Sequence, residues 1–129
     1  MFLLKKVLLN GKEQDILING NQICRIDDDI ENDEAEVILC QNKAILPSFC
    51  NTHTHASMMF LRGIGEDKEL FSWLNEDIWP REAKLTPEMI YHLSRFALLE
   101  MIKTGTTLFA DMYFYPQETI RAVQDMGIR

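Results

Sequence analysis

The sequence contains no Cys-x-x-Cys pair, and its three cysteines, Cys24, Cys40 and Cys50, are an odd number. Neither a thiol metal motif nor a closed disulfide framework is indicated. The three read as small buried hydrophobes in a reducing compartment. Clustered positive charge is also missing: 13 Lys and Arg stand against 20 Asp and Glu, for a formal net charge of -7. A nucleic-acid partner is therefore not expected, because phosphate neutralisation needs a basic footprint. No apolar run approaches the length of a membrane-spanning helix. "MFLLKKVLLN" is split by Lys5 and Lys6 and leads to no small-residue cleavage site. The expectation is a cytoplasmic protein with no membrane partner. The acidic stretch "DDDIENDEAE" (27–36) lacks the glycine and terminal glutamate of an EF-hand and reads as a solvated turn.

What is present is globular: 47% hydrophobic and 26% charged residues across 129 positions. Residues 1–44 read as a small β unit. "FLLKKVLLN" is one strand. "DILI" and "QICRI" flank Asn19-Gly20-Asn21, a hairpin signal because Asn and Gly tolerate positive φ. "AEVILC" supplies a further strand. From residue 45 the character changes. "AILPSFCN" reads as a strand buried on both faces, with Pro47 where it begins or bends. A long stretch from about 56 to 85 follows, irregular apart from a short helix around "ELFSWLNEDIW", and its length suggests a functional loop.

"LTPEMIYHLSRFALLEMIKTGT" predicts a helix with Thr86 as N-cap, Pro87 at the first position and Gly105 at the stop. Its apolar track runs Met89, Leu93, Phe96, with Ile90, Ala97 and Met101 alongside. "TTLFADMYF" reads as a second buried strand and "PQETIRAVQDMG" as a second helix. Strands alternating with helices imply a parallel sheet with right-handed crossovers. Two parallel strands are too few for a covered sheet. The chain is therefore expected to be the start of a larger α/β fold, interrupted after about two βα units.

"NTHTH" ends the first of these strands. Residues i and i+2 share a face, which sets His53 and His55 together, with Asn51 in line and Cys50 opposite. The spacing by itself fits either a metal-binding pair or two satisfied polar side chains. Two imidazoles at the carboxyl end of a parallel strand suit one divalent ion, zinc before others. His92 lies within the helix and is given no ligand role. Asp111 ends the second strand as a structural or supporting carboxylate.

"ILPSFCNTHTHASMMFLRG" resembles the first-strand signature of the amidohydrolase superfamily. The likeness continues through "HASMMFLRGIGEDKELFSWLNEDIWPREAKLTPE" and "MIKTGTTLFADMYFYP" into its deaminase branch. There it is nearest the 5′-methylthioadenosine/S-adenosylhomocysteine deaminases and the related triazine chlorohydrolases. The resemblance implies a (β/α)8 barrel, here its first units over 45–129, preceded by the N-terminal part of a small β-sandwich over 1–44. It implies one divalent metal, zinc or in some members iron, with His53 and His55 as ligands. It also implies that Trp73 and Glu82 contact a small-molecule substrate, a nucleoside or aminated heterocycle. Glu82 would hold the ribose hydroxyls, since a carboxylate can accept from both. The remaining ligands and the acid/base glutamate come from later strands, so no catalytic residue is expected within these 129 positions.

The implied activity is hydrolytic deamination of an aminated purine nucleoside by metal-activated water, in a full-length homo-oligomeric hydrolase acting on non-peptide C–N bonds. The chain alone is expected to be inactive. Each substrate residue has a plainer reading as well: Trp73 as a loop anchor, Glu82 as a surface charge. The rival functions are chlorohydrolysis or guanine/cytosine deamination on the same scaffold, or a short non-catalytic α/β assembly module.

Overall fold

A computed structural model describes residues Met1–Arg129. They form two compact units, Met1–Pro47 and Ser48–Arg129.

The first unit is a four-stranded sheet built from β1 (Phe2–Leu9), β2 (Lys12–Asn19), β3 (Gln22–Asp27) and β4 (Glu36–Leu39). The strand order is β3-β2-β1-β4. β1, β2 and β3 are an antiparallel meander, and β4 pairs parallel to β1. Two-residue turns make both hairpins. Gly20-Asn21 joins β2 to β3, with Asn19 opposite Gln22, and the positive φ falls on Gly20 alone. The other turn, Asn10-Gly11, has positive φ at both residues, the geometry that matches the twist of the flanking strands. Val7, Ile16 and Cys40 form the buried centre, with Leu4, Leu9, Ile18 and Ile45 against it.

A buried carboxylate organises this unit. Asp15 is 2% exposed. It accepts from the amides of Lys6 (2.9 Å) and Ile30 (3.0 Å) and pairs with Lys5 Nζ at 2.8 Å. Burial raises its pKa, but the Lys5 ammonium and the two amides outweigh that and hold it below its ordinary value. Lys5 also reaches Asp29 at 2.8 Å, and its own pKa is pushed up to about 12, chiefly by Asp15 and then Asp29. The acidic stretch is thus a turn tied down by lysine.

The second unit carries β5 (Phe49–Thr54) and β6 (Thr106–Asp111), paired in parallel. A 3₁₀ turn, Ala56–Leu61, follows β5. The short helix expected around residues 69–79 is present and runs nearly continuously over residues 70–82. It comprises α1 (Leu70–Trp73), a π turn (Leu74–Ile78) and α2 (Trp79–Glu82). Glu69 caps it by accepting from the amides of Phe71 and Ser72. α3 (Pro87–Lys103) crosses over to β6, and α4 (Pro116–Met126) follows. Thr86 caps α3, its hydroxyl accepting from Met89 N at 3.3 Å, and Gly127 ends α4 at φ +69°.

Three expectations need correction. β5 and β6 are largely exposed rather than buried on both faces, because each has one strand partner and an open edge. Cys24 and Cys50 are exposed, since their strands lie on open sheet faces, and only Cys40 is buried. The buried face of α3 is centred on Ile90, Ser94, Ala97 and Leu98, while Phe96 is 61% exposed. Ser94 tolerates burial because its hydroxyl links Ser57 (2.9 Å) to Thr119 (3.3 Å). Leu98, Ala122 and Ile128 form the core between α3, α4 and the sheet.

Candidate active site

His53 and His55 sit at the carboxyl end of β5 and just beyond it, with ring centroids 5.1 Å apart and ring planes at 83°. His53 is exposed and His55 half-buried. The end of β6 holds His55. Its Nδ1 lies 2.6 Å from the carbonyl oxygen of Met112. A carbonyl only accepts, so Nδ1 carries a proton, and in the neutral ring the lone pair is on Nε2. The chain around it is tied in the same place. Asp111 Oδ1 accepts from Ala56 N at 2.7 Å, and Met112 N donates to Thr54 O at 3.1 Å. Asp111 is therefore a structural acceptor for the turn that leaves β5.

A carbonyl-bound Nδ1 with the opposite nitrogen free is the usual preparation of a metal-ligating imidazole. Two neutral imidazoles suit zinc chemically. A catalytic zinc site takes three protein ligands and an open position. No group of three His, Cys, Asp or Glu side chains gathers within these residues. The pair fits part of a metal site and leaves the remaining ligands to be supplied from elsewhere.

A cleft of about 360 Å³ opens beside His55, lined by Met58, Trp79, Glu82, Met112, Tyr113 and Phe114 among others. Glu82, predicted from sequence, and His55 thus share one cavity. Tyr113 Oη donates to Glu82 Oε1 at 2.7 Å, and its ring centroid is 6.2 Å from that of His55. Burial first, and then the Glu82 carboxylate, push the phenol well above its ordinary pKa, so it stays a donor. Arg81, beside Glu82 in sequence, turns to the backbone and side chain of Asp77 instead. A larger hollow of about 590 Å³ is also lined by His55, but the Arg62–Glu100 bidentate pair lines it as well and Glu82 does not.

Trp73 sits elsewhere. Its indole N–H donates to Ile64 O at 2.8 Å, and Gly65 packs directly on the ring. Trp79 is the tryptophan that lines the cleft. Tyr113 and Trp79 carried no functional signal in the sequence. Tyr113 follows β6 by two residues, the position from which a parallel strand delivers side chains to its carboxyl end, and that placement was the available clue. His92 pairs with Glu88 at 3.0 Å on the exposed side of α3, clear of the cleft.

The amidohydrolase family profile matches residues 44–129, which include both histidines and the whole cleft. The chain belongs to the amidohydrolase family. Among curated proteins, the 5′-deoxyadenosine deaminase of Methanosphaera stadtmanae is 50% identical over 119 residues, covering 92% of this chain and 28% of that protein. Among solved structures, atrazine chlorohydrolase TrzN from Arthrobacter aurescens, complexed with zinc, superposes with a TM-score of 0.80 at 26% identity. That match covers 100% of this chain and 34% of that one. An adenosine deaminase from Xanthomonas campestris with bound zinc superposes with a TM-score of 0.89 at 24% identity, over 99% of this chain and 32% of the other, a likeness of fold. The chain spans about a third or less of the length of these amidohydrolase relatives. Its mixed α/β architecture is that of its amidohydrolase neighbours.

Proposed function

We propose that the complete protein carrying this sequence is a zinc-dependent hydrolase that deaminates a purine nucleoside altered at its 5′ carbon. In this reading β5–α3–β6–α4 are the first units of a (β/α)8 barrel, and residues 1–44 belong to an accompanying β-sandwich. The observation that carries the proposal is the cleft in which a prepared imidazole, His55, and a carboxylate without an ion pair, Glu82, face one cavity. The 50% identity to a 5′-deoxyadenosine deaminase favours a nucleoside over a triazine, for which the likeness is 26%.

His53 and His55 would hold the metal, and when bound it would supply a water acidified toward neutral pH. The other roles belong to the chain's own groups. The Met112 carbonyl keeps His55 in the tautomer whose Nε2 is free to bind. Glu82 accepts from the ribose hydroxyls, and because a hydroxyl bound to a carboxylate is a charge-assisted contact, it orients the sugar. Trp79, Met58 and Phe114 give the apolar wall against which a base or 5′ methyl group loses water. Trp73 ties the loop at Ile64 to the helical stretch that carries Trp79.

The test is deamination of 5′-deoxyadenosine by the complete protein, followed as ammonia release, before and after chelation. Activity lost on chelation and restored by zinc is expected. Undiminished activity in the thoroughly metal-stripped protein would overturn the metal assignment. Inert 5′-deoxyadenosine alongside a dechlorinated triazine would overturn the substrate class.

A further inference from the structure

Glu82 has only one polar side-chain partner. Tyr113 Oη donates to its Oε1 at 2.7 Å, while the second carboxylate oxygen accepts nothing from the protein. No lysine or arginine pairs with it, because Arg81 is committed to Asp77 and Lys68 to Glu76 and Asp77. A glutamate at the end of a short helix has three rotatable side-chain bonds, and an unpaired one samples several rotamers. Here one phenol, carried on the chain just past β6, removes that freedom. Tyr113 is itself fixed, with ring centroids 5.1 Å from Phe114 and 6.2 Å from His55. The phenol therefore ties the carboxylate to the strand end that also holds the His55 ring through Met112.

We propose that Tyr113 is a positioning residue for sugar recognition, claiming one oxygen of Glu82 so that the other is presented to the substrate's hydroxyls at a set distance from the histidine pair. This deepens the nucleoside reading and rests on it. A phenol bound to one oxygen leaves the second with both lone pairs open. The cleft then favours a vicinal diol, whose two hydroxyls can donate to that single oxygen, over a sugar with none. Tyr113 touches the carboxylate and not the reacting carbon. Its loss should weaken binding of hydroxylated substrates and leave the chemical step alone.

The experiment compares Tyr113→Phe with the parent in the complete zinc-loaded protein. The substrates are 5′-deoxyadenosine and its analogue lacking the 2′ and 3′ hydroxyls. Without the phenol, substrate binding must itself immobilise the Glu82 side chain, which should raise KM for 5′-deoxyadenosine by about two- to tenfold, with kcat within about twofold. The analogue's KM should not move. Glu82→Ala should raise KM for 5′-deoxyadenosine at least as far, and adding Tyr113→Phe to it should do nothing further. Equal losses on both substrates would mean that Tyr113 only supports the fold, and would overturn the proposal. An unchanged KM in Tyr113→Phe beside a raised one in Glu82→Ala would overturn it too, while leaving Glu82 as the sugar ligand. If Glu82→Ala changes nothing, the underlying nucleoside reading of the cleft falls, and this proposal with it.

Discussion

Gly65→Ala isolates how the loop before α1 is held. Gly65 has φ +74°, where an L side chain is strained by about 1–2 kcal/mol. A methyl group there would also clash with Trp73 Cδ1 and lie 2.6 Å from Asp77 Oδ2. Neither neighbour can yield freely. The Trp73 indole N–H is bonded to Ile64 O, and Asp77 is held by Lys68 at 2.6 Å. Overpacking of this kind costs about 1–3 kcal/mol. The two effects together predict a loss of about 2–5 kcal/mol. Gly127→Ala provides the internal control. It lies in the same unit at φ +69° with nothing within 4 Å of the added carbon, so it incurs the backbone strain and not the clash. Both substitutions reduce the entropy of the unfolded chain alike, so that contribution cancels in the comparison. Urea unfolding of these 129 residues, followed by tryptophan fluorescence, reads the difference directly, since Trp73 and Trp79 are the two tryptophans among them. Gly65→Ala should unfold at a midpoint about 1 M lower than Gly127→Ala, taking the urea sensitivity typical of small domains. Equal midpoints would mean that the indole moves aside at no cost, and the account of a rigid loop would be wrong.

Two further perturbations test the frame. Asp15 has a depressed pKa when folded, so its stabilisation is full above the ordinary aspartate value of 3.8 and is lost as pH falls through the folded value. The Asp15→Asn variant sets an amide N–H₂ against a donor and should cost about 1–3 kcal/mol at neutral pH, with acid unfolding that no longer steepens below pH 3.8; circular dichroism of the strands against pH checks both. Thr86→Ala removes the α3 cap and should lower stability by about 0.5–2 kcal/mol, whereas Thr86→Ser should recover most of it in thermal melts.

What the sequence made legible was local or periodic. The Gly20-Asn21 turn, the Thr86-Pro87 helix start and the Gly127 stop are each decided by one residue's backbone preference, and such preferences survive without knowledge of neighbours. The closeness of His53 and His55, whose ring centroids are 5.1 Å apart, is what their spacing of two residues predicts. What stayed hidden depends on partners far along the chain. Phe96 looks like a core residue and Ser94 like a solvent-facing one, yet the structure buries the serine. Only the distant hydroxyls of Ser57 and Thr119 make that burial inexpensive, and no pattern within the helix announces them. The two tryptophans are the same lesson within the site. Trp73 and Trp79 both lie on the helical stretch, and composition cannot say which one lines the cleft. The helix winding decides it, because six residues turn the two rings toward different neighbours, one to Ile64 and the other to Glu82. Glu82 itself follows from the family resemblance, but its pose does not. The phenol that holds it is 31 residues away, and the parallel pairing of β5 with β6 brings that phenol to the histidines. A substitution that shifts the β5–β6 register by one residue would reverse the side-chain parity of β6. It would separate Tyr113 from Glu82 and the Met112 carbonyl from His55 together, and the cleft would lose its anchored carboxylate and its carbonyl-bound imidazole in one step.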